Sequence, residues 1–381
     1  RTSRSEPILA ALRAVPIADY CTRAGVPEEQ VRAVAQRIAR AASVSVLEDL
    51  GIQQAPHSTL NSYLEKLIFV LTGHFGERGS MNIHTAFASL AGGKGSSRTS
   101  PVTGHRIITG LIPCNIIPDE ILTDHPKRLR AMIVESANPA HSLADSPRMR
   151  EAFDALDLVV VIDVAVTETA RHAHYVLPAS SQYEKWECTF FTLEFPNNVF
   201  HLRPPLFDAL PGTLPEPEIH RRLVHALGAL HEEDLAPLRA AAAAGRYEFA
   251  GAFLQATAIR PDLAALAPIV LYETLGPTLG EGNEAVAAIW GLAHTVALTY
   301  PDSVRRAGFT GEGPALGEAL FEAIQRTPSG VTFTVDEFED TWRRLATPDG
   351  RINLTIDELL PELLSLREET TAADAAFPFV L

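Results

Sequence analysis

Four consecutive large aliphatics, Val159 to Ile162, run without a polar interruption and end on a carboxylate, Asp163. A short apolar run with no alternation reads as a strand buried on both faces, the habit of a parallel sheet. The pattern around it has the same character. "RAMIVESANPAHS" predicts a strand over 131–135 that runs into a polar loop. "DSPRMREAFDAL" predicts a helix opened by Asp145 or Ser146, with Pro147 in its first turn. "DLVVVID" predicts the next strand (157–163), "TETARHA" a helical turn, and "HYVLPA" a third strand over 174–179. Strand, helix, strand, turn and strand in this order predict a parallel sheet covered on both faces.

Upstream, residues 26–42 place Val31, Val34, Ala35 and Ile38 at helical spacing, with Pro27, Glu28 and Glu29 suited to the first turn. "SVSVL" (43–47) predicts a short strand, Gly51 to Gln54 a turn, and 58–72 a helix that Gly73 can terminate. Residues 73–126 are rich in Gly, Ser, Thr and Pro, a composition that wraps a ligand or lies at the surface. After Pro215 the pattern turns helical, first over "PEPEIHRRLVHALGAL" and again near 238–245. The fold class expected is α/β: a doubly wound, mostly parallel, Rossmann-like sheet with an additional, mainly helical region.

Composition narrows the function. With 46% hydrophobic and 21% charged residues the chain is of ordinary globular type, and its formal net charge of -15 argues against nucleic acid as a partner. No stretch approaches the roughly 20 apolar residues of a membrane span. Cys21, Cys114 and Cys188 lie far apart, without metal-ligand spacing, and read as buried reduced thiols in a cytoplasmic protein. The absence of an initiating Met and the apolar end "AAFPFVL" suggest a piece of a longer polypeptide.

In an open parallel sheet, ligands bind beyond the carboxyl ends of the strands. Two such ends carry chemistry here: "ESANPAHS" (135–142), and Asp163 with "VTET" (166–169). No GxGxxG is present, so an NAD site is not supported. Asp163 has two open readings. It caps the turn after it, or its carboxylate accepts from the paired donors on the Watson–Crick edge of guanine, which adenine lacks. Asn138 with Pro139 has the same duality, shaping a turn or reading a ligand edge. His172 and His174 are expected to shape the turn before "YVLPA" rather than to bind metal.

Taken together, the segment 134–187 resembles the molybdopterin oxidoreductases, the superfamily of dimethyl sulfoxide reductase, formate dehydrogenase and nitrate reductase. The features matched in order are Asn138-Pro139, the strand ending in Asp163, Thr167-Glu168-Thr169-Ala170, the Val176-Leu177-Pro178 run, and Glu184-Lys185. Residues 47–82 are similar to that family's Gly-x-x-Gln stretch, helix and glycine-rich turn. Two departures stand out: "EKWECTFFT" (184–192) lacks the family's glycine and carries an extra residue, and His174 replaces an Asp.

The resemblance implies a molybdenum or tungsten ion held by two molybdopterin guanine dinucleotides. Asn138, Ile162, Asp163 and Lys185 would contact one dinucleotide, Leu50 and Gln54 would lie near the pterin, and Glu218 would add a polar contact. It also implies a small-molecule substrate, a [4Fe-4S] cluster in a region preceding Arg1, and an electron-transfer partner subunit or carrier. The expected organisation is a helical lead-in (1–42), a guanine-dinucleotide-binding domain (43–215), a helical α/β region (216–370) and a linker (371–381). The expected activity is of formate dehydrogenase or nitrate reductase type, the isolated segment being inactive. The alternative is a cofactor-free structural subunit of a respiratory complex, as derived members of this family are.

Overall fold

The computed structural model describes residues 1–88, 98–108, 110–189 and 194–369. Most of the glycine-rich run after residue 88, the end of "EKWECTFFT" and the expected linker at 371–381 lie outside these. The chain divides into two compact units: Arg1–Thr85 with Glu194–Pro196 and Asp336–Leu381, and Ala86–Leu193 with Asn197–Val335. Both are discontinuous along the chain, whereas the segments expected from sequence are continuous.

In the first unit, the helix Ser58–Leu71 buries Leu60, Tyr63 and Leu67 at helical spacing. Ile8, Leu354 and Leu363 complete that core, and the Tyr63 hydroxyl donates to the carbonyl of Leu354. The helix Glu28–Arg40 forms as its pattern predicts, with Pro27 just before it, but Val31 and Val34 of its apolar stripe stay exposed. The strand expected over 43–47 is absent. Its alternation finds no neighbouring backbone to pair with among the described residues, and an unpaired strand has nothing to satisfy its amides.

The second unit has the expected α/β class. The strands Ala131–Glu135, Leu158–Asp163 and Tyr175–Pro178 pair in parallel, with Val134 opposite Val161, Val161 opposite Val176, and Asp163 opposite Pro178. Alternation along the central strand sends side chains to two faces. Val159 and Val161 are fully buried with Met149 and Phe153 of the helix Ser146–Asp154. Ile162 faces the other way, against Ile219 of the helix Glu216–Ala226. The sheet therefore has a helix on each face, and its strand order follows chain order.

A separate antiparallel sheet, Glu187–Thr189, Asn197–Arg203 and Val331–Val335, anchors the helical part of this unit. Phe200, Phe249, Trp290, Phe321 and Phe333 are all buried in one core there. No described helix is long and apolar enough to cross a membrane. Of the three cysteines, Cys21 is buried and Cys188 half-buried. Cys114 departs from expectation: it is exposed, because it opens a surface turn directly after Pro113.

Candidate functional site

The three parallel strands end side by side, and the loops that leave them surround a cleft. One part, of about 540 Å³, is lined by Ser136, Asn138, Asp163, Gln182 and Tyr183 among others. A second part, of about 710 Å³, adds Glu135, Trp186, Tyr272 and Glu284. Ser136, Lys185, Glu187 and Glu216 line both.

Asp163 performs the capping half of its expected duality with one oxygen. Oδ1 accepts from the backbone N–H of Val164 at 2.7 Å and of Ala165 at 3.4 Å. Oδ2 has no hydrogen-bond partner among the described residues, and Asp163 lines the smaller lobe. A carboxylate whose backbone and one oxygen are committed presents the other in a fixed direction.

Asn138 is occupied within the protein. Its Nδ2 donates to Glu168 Oε2 at 2.6 Å, and its Oδ1 accepts from Thr169 N at 3.1 Å and Thr169 Oγ1 at 2.8 Å. The same Thr169 hydroxyl accepts from the N–H of Ala140 at 3.0 Å. The Asn-Pro loop and the Thr-Glu-Thr-Ala turn are thus one hydrogen-bonded unit. Asn138 braces two strand ends, and the bond it donates to Glu168 draws that carboxyl below its usual range. The sequence showed both motifs but not that they touch.

Lys185 reaches the carboxylate of Glu216, and each side chain keeps 15% exposure. The lysine expected to contact a dinucleotide is therefore held by a counter-ion within the protein. Glu218 lies elsewhere in the network: Arg221 takes it with two nitrogens at 2.7 and 2.8 Å, Arg222 adds a third bond, and Tyr272 donates at 3.3 Å. Hydrogen bonding by Arg221, opposed by burial and helped by Arg222, lowers its carboxyl to about 2. Burial, with the Glu218 charge behind it, pushes the Tyr272 phenol up to about 12. Glu218 bears on the cleft only through Tyr272, and Glu216, two residues earlier, is the one that lines it.

Ile162 is fully buried between the sheet and the helix Glu216–Ala226, so its side chain offers nothing to a ligand. Its carbonyl instead accepts from Ser136 N at 3.1 Å. Leu50 and Gln54 belong to the first unit, at the helix Leu50–Gln53 and the residue after it, with Leu50 60% exposed.

Ser136 sits at φ 51 with ordinary Cβ chemistry. Non-glycine residues in that region cost on the order of 1–3 kcal/mol and concentrate at ligand sites, a signal no sequence pattern carries. Trp186 donates to Gly282 O and Asn283 Oδ1, each at 3.1 Å, which fixes it as a wall of the larger lobe. The two histidines shape the turn as expected. His172 Nδ1 meets Asp154 at 2.6 Å, and Val159 N donates to His174 Nδ1 at 2.9 Å. Among the described residues no group of three His, Cys, Asp or Glu is placed to hold a metal ion.

Residues 42–210 match the family model described as Molybdopterin oxidoreductase. A trimethylamine-N-oxide reductase of Vibrio vulnificus is 34% identical over 96 residues, 24% of this chain and 11% of that protein. Biotin sulfoxide reductase of Cereibacter sphaeroides is 28% identical over 181 residues, 43% of this chain and 24% of its own length. The NADPH-Fe(3+) oxidoreductase subunit alpha of Geobacter sulfurreducens is 25% identical over 222 residues, 50% of this chain and 24% of that one. The chain thus spans between 11% and 24% of the length of these relatives.

Proposed function

Because residues 42–210 belong to the molybdopterin oxidoreductases of the dimethyl sulfoxide reductase superfamily, we propose that the cleft anchors the guanine dinucleotide form of that family's cofactor. The observation that carries this is Asp163, with Oδ1 spent on its own turn and Oδ2 without a partner among the described residues, beside a cavity of about 540 Å³. In this reading Asp163 accepts from the guanine edge, Asn138 holds the loops that place it, and Ile162 contributes through its carbonyl, which sets the strained turn at Ser136. Lys185 meets a phosphate once Glu216 yields it, and Glu218 orients Tyr272. Leu50 and Gln54 lie near the pterin.

These residues fit a nucleotide: a carboxylate oxygen for base-edge donors, an ammonium for phosphate, and aromatic walls. When bound, the cofactor supplies two-electron redox chemistry at its molybdenum or tungsten. This chain's share is binding, orientation and electrostatics. Electron exchange through a [4Fe-4S] cluster to a partner subunit or carrier, in the cytoplasm, completes the reading.

For the reaction, the first reading, taken from the family resemblance, is of formate dehydrogenase or nitrate reductase type. Oxide reduction is the second reading, favoured by relatives named for trimethylamine N-oxide and biotin sulfoxide.

The test is composition. The native polypeptide that contains this chain is hydrolysed in acid, and GMP, molybdenum and tungsten are counted per chain. About two GMP and one metal per chain are expected of a bis-dinucleotide cofactor. No GMP would leave a structural relative that keeps the fold without the chemistry.

A further inference from the structure

Resting on the reading of the cleft as a guanine site, we infer that Tyr183 is the platform on which the base stacks, so that Tyr183 sets how tightly a nucleotide is held and Asp163 sets which one. Tyr183 lines the smaller lobe together with Asp163 and Gln182. It is 49% exposed, belongs to none of the apolar cores, and its hydroxyl makes no hydrogen bond among the described residues. Among the described residues, neither the apolar cores nor a hydrogen bond engages this ring.

Its position is nevertheless firmly held. The Tyr183 carbonyl accepts from Leu206 N at 2.8 Å and from Phe207 N at 3.2 Å. The Arg203 guanidinium lies 5.6 Å from the ring centroid, and Arg203 is itself tied to the carbonyls of Gln182 and Pro204. One face of the ring thus carries a cation, which leaves the other for a planar, electron-rich partner. A rigid, half-exposed aromatic beside a directed carboxylate matches how proteins hold a single base: stacking for affinity, edge hydrogen bonds for identity.

The two contributions separate cleanly, because every base has a π-face but only guanine offers paired N–H donors to a carboxylate. The full chain, produced in a host unable to make the molybdenum cofactor, is titrated calorimetrically with GMP and with AMP. The wild type is expected to bind GMP more tightly than AMP. Tyr183→Leu should weaken both by about tenfold, the loss typical of one stacked base. Tyr183→Phe should stay within about twofold of wild type, while Asp163→Asn should weaken GMP alone.

Unchanged affinities in Tyr183→Leu would overturn the platform, as would a Tyr183→Phe variant as weak as Tyr183→Leu, which would make the hydroxyl the contact. Equal affinity for GMP and AMP in the wild type would instead remove the guanine reading, with the Tyr183→Leu loss on AMP still deciding the platform. No binding of either nucleotide would remove both.

Discussion

Replacing Glu216 by Gln removes the counter-ion of Lys185 while keeping the shape of the cleft. The two side chains retain only 15% exposure each, so their attraction is screened less than that of a surface pair. Two unit charges about 4 Å apart at an effective dielectric near 20 attract by about 4 kcal/mol. A phosphate that enters the cleft must share that ammonium or take it. Regaining about a third of the attraction is worth about 1.4 kcal/mol, a factor of ten in affinity. Glu216→Gln should therefore bind inorganic pyrophosphate about tenfold more tightly than wild type. Lys185→Gln should bind it more weakly, and the double variant should behave like Lys185→Gln. Calorimetry on the cofactor-free chain at two salt concentrations reads this directly, with the gain shrinking at high salt. A Glu216→Gln variant that binds no tighter than wild type would refute the reasoning, and one that binds more weakly would make the carboxylate part of the ligand's own shell.

Asp163→Ala should reduce GMP per chain in the native polypeptide to less than half without removing the fold, since only two turn hydrogen bonds are lost; unchanged GMP would end its role as a reader. Thr169→Val leaves the Ala140 N–H and Asn138 Oδ1 without their shared hydroxyl at a fully buried position. A cost of about 1–3 kcal/mol in denaturant unfolding is expected, together with weaker GMP retention. Gly76 sits at φ +74, where an added Cβ would come 2.3 Å from Trp342 Nε1. Gly76→Ala should cost about 2–4 kcal/mol from backbone and overpacking together, and a change under about 0.5 kcal/mol would contradict that geometry. Burial pushes the Glu318 carboxyl up, but hydrogen bonds from His294, Trp290 and Arg246 outweigh it and bring it from 4.5 down to about 2. A lowered folded value means its stabilisation is complete above about pH 4.5 and drains away as pH falls toward 2. The stability gap between wild type and Glu318→Gln should be about 3 kcal/mol at pH 7 and less than half of that at pH 3. An equal gap at both would reject the assignment.

Periodicity alone determined much of this protein. An uninterrupted apolar run makes a strand between two layers whatever surrounds it, so the strands ending at Glu135, Asp163 and Pro178 and the helices Ser58–Leu71, Ser146–Asp154 and Glu216–Ala226 were legible locally. The strand misread over 43–47 shows the limit, because alternation predicts a strand only where a partner backbone exists. In the cleft, Asp163 and Lys185 were readable as chemistry at strand ends. What they touch was not. That Asn138 is spent on Thr169, that Glu216 rather than Glu218 reaches the cleft, that Ile162 turns inward, and that Ser136 is strained all depend on residues far apart in sequence meeting in space, Ser136 with Ile162, Asn138 with Thr169, Lys185 with Glu216 and Ile162 with Ile219. Local sequence sets backbone preference and side-chain character over a few residues, whereas pairing, register and the direction of a carboxylate are decided by which segments the packed core brings together.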